Sequence, residues 1–514
     1  MESRQSKCGS TEEPEDRLTG LPDGLLHSIL HGLSLKDVVC TSGISRQWAT
    51  TWVRALATSP VLDFTDRAFV VRQAPAQVVA LVSLYLKRHA DQGAPLDVLR
   101  VALDGTLGGA KAFGHDVVGW VAYAVARGAR EVEVDMTPKQ GDRAAQHDDT
   151  VNEEDFFVAL PSDLLLARNS LVRLALDRFS LRAVLSGAPA GFAGLRSLSL
   201  SHANVTDDEV NATLSSCRLL EFLSLRSCHL LRSVRIVGHK LRGLELVTCL
   251  GIQQLRVTAP ALESFAFHGD IIYLRDSDNF SAVDLGDTPT LRDVCLSHIG
   301  FGNMYLVPEY EYGFFRFSNR IARVKSLTLC SVGLKHVWVQ LVYDDDPPPM
   351  DVDMSNVQEL KLLMASLDFG SLEAVSTFLQ LYSFLTLDRL FFHLPGEQVE
   401  ASDVFDALNH EIYELDDCIY IDKFGLDCLR LIKVVNFQGT WAELALLAFL
   451  LQGAPALEQL VLVTVEEEQG ASGDTPLKLI QQRVSEMTEA CVTWCGPSED
   501  RTQNPAHTRF YHME

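Results

Sequence analysis

From about residue 96 onward, one short rhythm of apolar and polar positions recurs along the chain. An apolar residue is followed by two of any kind, a second apolar residue, one of any kind, and a third. The clearest copies are Leu195-Leu198-Leu200, Leu220-Leu223-Leu225 and Leu241-Leu244-Leu246. The alternation at the end of each copy predicts a short strand with its apolar side chains on one face. Looser copies occur at Leu96-Leu99-Val101, Ala129-Val132-Val134, Leu171-Leu174-Leu176, Leu262-Phe265-Phe267 and Leu291-Val294-Leu296. Further on come Val324-Leu327-Leu329, Val357-Leu360-Leu362, Leu387-Leu390-Phe392 and Leu457-Leu460-Leu462. Leu176, Leu200 and Leu225 lie 24 and 25 residues apart, whereas Ile236, Leu246, Val257 and Phe267 follow at steps of 10 or 11. The short steps leave no room for a helix, so 225–267 reads as coils with strand-like segments on both sides. Later steps lengthen and leave room for helices or loops.

Elsewhere the period is helical. Leu25, Leu26, Ile29, Leu30 and Leu33 form one wide apolar stripe just after Pro22, a residue suited to a first helical turn. Gly32 loosens the helix end, and Ser34 with Asp37 reads as a capping box. Ile44, Trp48 and Trp52 share one face of a third helix. Three such short helices cannot bury this much apolar surface among themselves, so the remainder calls for a partner or for the following domain. Gln77–Arg88 and Asp116–Arg127 also read as helices, the second with Val117, Trp120, Val121 and Ala124 on one face. Near the end, Cys428–Gly439 reads as a strand ending in a turn. A helix over Trp441–Leu451, closed by Gly453, and a strand over Leu457–Val463 follow. The last fifty residues predict one helix, opened by Thr475-Pro476, and a polar tail.

Two repeats extend into a longer match. Leu220, Leu223, Leu225, Cys228 and Leu231, and again Leu241, Leu244, Leu246, Cys249 and Ile252, fit the leucine-rich repeat consensus, with Cys in its Asn/Cys slot. The N-terminal block, with Leu21-Pro22, Leu25-Leu26, Ile29-Leu30, Leu33, Asp37, Ser45-Arg46, Trp48 and Trp52, resembles an F-box over roughly 16–60. It departs from that family at Ser34, Cys40, Gly43 and Gln47. The segment with Asn436-Phe437, Gly439, Glu443, Phe449-Leu450-Leu451, Ala454 and Leu457-Glu458 resembles the FBD domain over roughly 385–465. In this order the three are similar to the plant F-box/LRR/FBD family.

The resemblance implies an α/β chain with a three-helix F-box at 16–60 after a disordered tail at 1–15. A leucine-rich-repeat solenoid at 61–384 would follow, with parallel β on its concave side and acidic loops at 137–155 and 344–353. An α/β FBD cap at 385–465 and a C-terminal helix and polar tail at 466–514 would complete it. It also implies a substrate-recognition subunit of an SCF-type ubiquitin ligase. The F-box would dock on a Skp-family adaptor, and through it a cullin, while the repeats bind a protein target. Leu21, Pro22, Leu25, Leu26, Ile29, Leu30, Leu33, Asp37, Ile44, Trp48 and Trp52 would carry the adaptor contact. The alternatives are a small-molecule (hormone) co-receptor of the F-box/LRR type and a ligase-independent interaction scaffold.

Charge and chemistry narrow this picture without redirecting it. With 44 Lys and Arg against 68 Asp and Glu, the net charge of −24 argues against broad nucleic-acid binding and against anionic membranes. The longest clean apolar run, Leu444 to Leu451, is too short to span a bilayer, and the polar first residues predict no secretory leader. Eleven cysteines without a paired framework point to free thiols in a reducing compartment, nucleus or cytoplasm or both. Cys491 and Cys495 lack a second pair for zinc, and the glycines at 105, 108 and 109 do not make a dinucleotide fingerprint. His202, His229 and His298 fall just after predicted strands, where turn residues sit. No catalytic, metal or cofactor residue is predicted.

Overall fold

The computed structural model describes residues 21–31, 46–66, 73–103, 109–137, 157–161, 170–181 and 192–269. It continues with 283–286, 288–298, 321–335, 354–382, 384–396, 425–465 and 474–500, and single residues 33, 37, 40 and 41 lie between the first two segments. Ile44 and Ser34, the acidic loops beyond Thr137 and the loop at 344–353 lie outside them. The chain divides into two units, Met1–Ser197 and Leu198–Glu514.

The first unit opens with helices α1 (Asp23–His31) and α2 (Arg46–Thr58) and strand β1 (Val61–Phe64). Helix α3 (Pro75–Gln92), β2 (Val98–Ala102), α4 (Gly109–Arg127) and β3 (Glu131–Asp135) follow. Then come β4 (Val158–Ala159), β5 (Arg173–Asp177) and β6 (Phe179–Ser180). β1, β2, β3 and β5 pair in parallel in that order, with Leu99 beside Leu62 and Val132. The expected face of α4 is buried at Val117, Trp120, Val121 and Ala124. Polar contacts fix α4 on α3: Trp120 Nε1 donates to Ser83 Oγ at 3.0 Å, and an Arg127 guanidinium N–H donates to Ala90 O at 3.1 Å. His89 is fully buried, with Nε2 2.9 Å from Ser59 O and Nδ1 2.8 Å from the Tyr123 hydroxyl. Burial holds its pKa below the ordinary value, so the ring is neutral; it donates to Ser59 and accepts from Tyr123.

In the second unit the parallel sheet runs in chain order. Its strands are β7 (Ser197–Ser201), β8 (Phe222–Arg226), β10 (Gly243–Val247), β12 (Ser264–Gly269), β14 (Asp293–His298) and β15 (Ser326–Cys330). β16 (Glu359–Leu363), β17 (Arg389–His393), β18 (Leu431–Phe437), β19 (Gln459–Thr464) and β20 (Cys491–Cys495) extend it. Each predicted triplet places its last two apolar residues in a strand, where they stack in register, as Leu223 with Leu244 and Phe265 do. β9 (Ser233–Val237), β11 (Gln254–Thr258) and β13 (Val283–Asp284) form a separate three-stranded sheet, so the 225–267 stretch does carry strands on both sides. The helices are α5 (Asp207–Ser216), α6 (Phe369–Leu381), α7 (Trp441–Gly453) and α8 (Asp474–Met487).

The turns out of β8 and β10 share a physical signature. Ser227 and Thr248 adopt left-handed backbone (φ 48° and 56°), and their amides donate to Val247 O and His268 O on the next rung. The following residues, Cys228 and Cys249, turn inward. The Cys249 thiol donates to Leu225 O and Val247 O, each at 3.5 Å. Cysteine fits this slot because it is small, apolar in bulk and still a weak donor. Two expectations change. Cys491–Cys495 is not polar tail but a strand, added to the sheet beside β19. His298 is the buried last residue of β14 rather than a solvated turn residue.

Candidate functional site

The N-terminal helices divide the predicted set into two faces. Pro22 sits just before α1, and its carbonyl accepts from the Leu25 and Leu26 amides at 2.9 and 3.1 Å. Leu26 and Leu30, four apart, are buried with Trp48 and Ala55 of α2, and Leu21, Trp52 and Leu56 pack around them. Trp52 also meets Tyr85 of α3, ring centroids 6.2 Å apart, and Tyr85 in turn meets Phe64 of β1. Leu26, Leu30 and Trp48 therefore hold the helices together and have no surface to offer a partner, and Trp52 is half-committed to the following domain.

The other face of α1 stays open. Leu25, Ile29 and Leu33, at four-residue steps, are 54%, 42% and 39% exposed, and Pro22 is exposed beside them. Leu25 and Ile29 lie one helical turn apart and share an apolar strip on α1, and Leu33 is exposed two residues past the helix end. Asp37 is exposed as well. Sequence periodicity put all five aliphatic residues on one stripe. The split follows from α2: Trp48 covers one edge of the stripe, and only the three-dimensional placement of that ring distinguishes Leu26 from Leu25.

Nothing described suggests another kind of centre. Among the described residues no group of three His, Cys, Asp or Glu is placed to hold a metal ion, and no helix is long and apolar enough to cross a membrane. The described cysteines are free thiols, and burial pushes Cys217 up to about 12.

Comparison with known proteins supplies the wider context. A family model described as "FBD-associated F-box protein At5g56370, LRR repeats" matches residues 117–306. FBD-associated F-box protein At1g61320 of Arabidopsis thaliana is 22% identical over 436 residues, covering 84% of this chain and 84% of that protein. The F-box/FBD/LRR-repeat protein At1g13570 of the same plant is 23% identical over 486 residues, covering 91% and 96%. The chain is similar to plant F-box/LRR/FBD proteins along most of its length. The match to the family's repeats falls on the stretch that holds the Cys228 and Cys249 turns, and the alignments to the relatives run through most of both chains.

Proposed function

We propose that this chain is a substrate-recognition subunit of an SCF-type ubiquitin ligase, with α1 as the element that docks on a Skp-family adaptor and through it a cullin. The observation that carries the reading is the two-sided α1. Leu26, Leu30 and Trp48 make the helix rigid from within, while Leu25 and Ile29 present an apolar strip that folding leaves unburied, with Leu33 exposed just past the helix end. A preformed helix of this kind binds a hydrophobic groove without a large ordering cost. The repeats then hold the target, and catalysis is proximity supplied by the partners, so this chain forms no covalent intermediate. The segment at 385–465 caps the repeat array as an FBD domain, as an open-ended repeat array requires. The reading places the protein in nucleus or cytoplasm.

Co-precipitation with the adaptor tests it. Leu25→Ala/Ile29→Ala should weaken binding at least about tenfold, the usual effect of removing central apolar anchors, while leaving the melting temperature unchanged. Leu26→Ala should instead lower the stability of the helical unit by about 2–5 kcal/mol. Unchanged adaptor binding by the Leu25/Ile29 variant would sink the assignment.

A further inference from the structure

The chain is acidic, yet one stretch reverses the sign. Between Arg218 and Arg256 lie seven Arg and Lys against two Glu, a local net of +5 in a chain of −24. One of those two acids, Glu245, is buried. Arg226 and Arg242 are paired with Glu245 and Glu263, whereas Arg235 and Arg256 stand on the small sheet of β9, β11 and β13, with Arg232 at its start. The burial of β9 and β11 alternates strictly. Val234, Ile236, Leu255 and Val257 point inward, while Ser233, Arg235, Val237 and Gln254, Arg256, Thr258 are exposed. Register sets Arg235 directly beside Arg256. Like charges side by side on neighbouring strands disfavour folding, so the pair calls for an explanation outside the fold.

The acids near this face leave much of its charge unanswered. Asp284 of β13 reaches Arg256 Nε at 3.6 Å, with more than half of the Arg256 side chain still exposed. Asp207 is turned to the backbone, accepting from the Arg232 and Ser233 amides at 3.0 and 2.9 Å. Arg235 makes no ion pair among the described residues. A third guanidinium is built in at the start of β9. Arg232 Nη1 donates to His229 O and Leu231 O, and a side chain at Gly251 would collide with it, its Cβ falling 1.5 Å from Nη1. His239 and Lys240 are exposed where the chain leaves β9.

We infer that the exposed face of β9 and β11 is a docking surface for an acidic, extended segment of a protein partner. Arg235 and Arg256 would take its carboxylates, and the apolar Val237 beside them would take an intervening side chain. Adjacent strands lie about 4.8 Å apart, so two guanidinium groups can address neighbouring acidic residues of one peptide. A nucleic acid is disfavoured because the remaining acidity of the chain repels a long phosphate backbone, whereas a short peptide meets only this face. The proposal goes beyond adaptor docking and does not depend on it.

The test uses the full chain and fluorescence anisotropy with a short labelled peptide of alternating Glu and Val. A peptide with Lys for Glu and a short single-stranded RNA serve as comparisons. The Glu peptide should bind, salt should weaken it, and Arg235→Gln/Arg256→Gln should weaken it about tenfold, the combined effect of two exposed ion pairs. Lys87→Gln on α3 should leave it unchanged. All the altered positions are exposed, so the melting temperature should hold. Should the double variant melt early, Gln254→Glu, which adds a carboxylate to the same face, must weaken the peptide instead. Absence of binding, equal binding of the Lys peptide, indifference to these variants, or tighter binding of the RNA would overturn the proposal.

Discussion

The parallel strands of the two units share one rhythm and differ on the face that the leucines do not occupy. In β2 and β3 every second residue is buried and its neighbours are partly open. The open positions carry charge that pairs across strands. Arg100 reaches Asp63 at 3.2 Å and Glu131 at 3.0 Å, and Arg173 reaches Glu131 at 3.3 Å. In β10, β12 and β14–β17 that other face is withdrawn from solvent too. Ala266, Cys295, Thr328, Lys361 and Phe391 are each less than 5% exposed. The difference teaches that the repeat rhythm specifies only the inner face. What stands between the leucines decides whether the sheet meets water.

The sharpest way to break this comparison is one substitution made in both settings. Ala175 of β5 and Ala266 of β12 both stand between two inward leucine or phenylalanine positions, yet Ala175 is part-exposed and Ala266 is 1% exposed. Ala266→Gln should destabilise the second unit by about 3 kcal/mol, from overpacking plus an amide without partners. Ala175→Gln should fall within about 0.5 kcal/mol of wild type. Chemical denaturation followed by circular dichroism reads both. Equal costs would mean that the two faces are alike after all.

Lys361 sharpens the same point through pH. Its ammonium is buried on the second face, and burial lowers its pKa from 10.5 to about 8, while Glu359, Cys295 and Asp293 pull the other way. The folded protein thus releases this proton earlier than the unfolded chain does. Between pH 8 and 10.5 the unfolded state binds more protons, so stability should rise with pH in that window. The gap between the two protonation states is on the order of 3 kcal/mol. Thermal melts of wild type and Lys361→Met across the window check it. A wild-type curve that parallels the variant would show that Lys361 is not buried as described.

Arg100 is the counterpart in the first unit and should matter less. Its side chain is about a third exposed, and its partners are part-open. Arg100→Met should cost only about 1 kcal/mol, because exposed pairs are weak and the methionine keeps the stem's apolar contacts. The deficit should shrink in high salt, a dependence that Lys361→Met should lack.

These cases also explain what could be read from the sequence. The strands were legible because Leu223-Leu225 and its copies repeat a rule that needs no partner information. The separate sheet of β9 and β11 was legible from steps too short for a helix. The division of α1 into Leu26 and Leu30 against Leu25 and Ile29 was not, since it depends on where Trp48 of α2 comes to rest. β20 was missed because Cys491-Val492-Thr493-Trp494-Cys495 has one apolar alternation and no leucine, and its place beside β19 is set by pairing rather than by pattern. The pairing of Arg235 with Arg256 likewise needs the register.

Helix starts give the finest contrast between the units. Helix α6 begins at Asp368, whose carboxylate accepts from the Ser371 amide and hydroxyl, each at 2.7 Å, and pairs with Lys335 at 3.1 Å. Burial pushes this carboxyl up, but those donors outweigh it and hold its pKa at about 2, against an ordinary 3.8. Its stabilisation is fully present above 3.8 and is lost as pH falls toward 2. Helix α3 begins at Ala74, which has no side-chain cap. Ala74→Ser should therefore stabilise the first unit by about 0.5–1 kcal/mol, and Asp368→Ala should destabilise the second by a similar amount at neutral pH. The two effects should part in acid: the serine's gain persists from pH 4 to pH 2, while the difference between wild type and Asp368→Ala closes. If the Asp368 difference survived at pH 2, its carboxylate would not be the group that holds the start of α6.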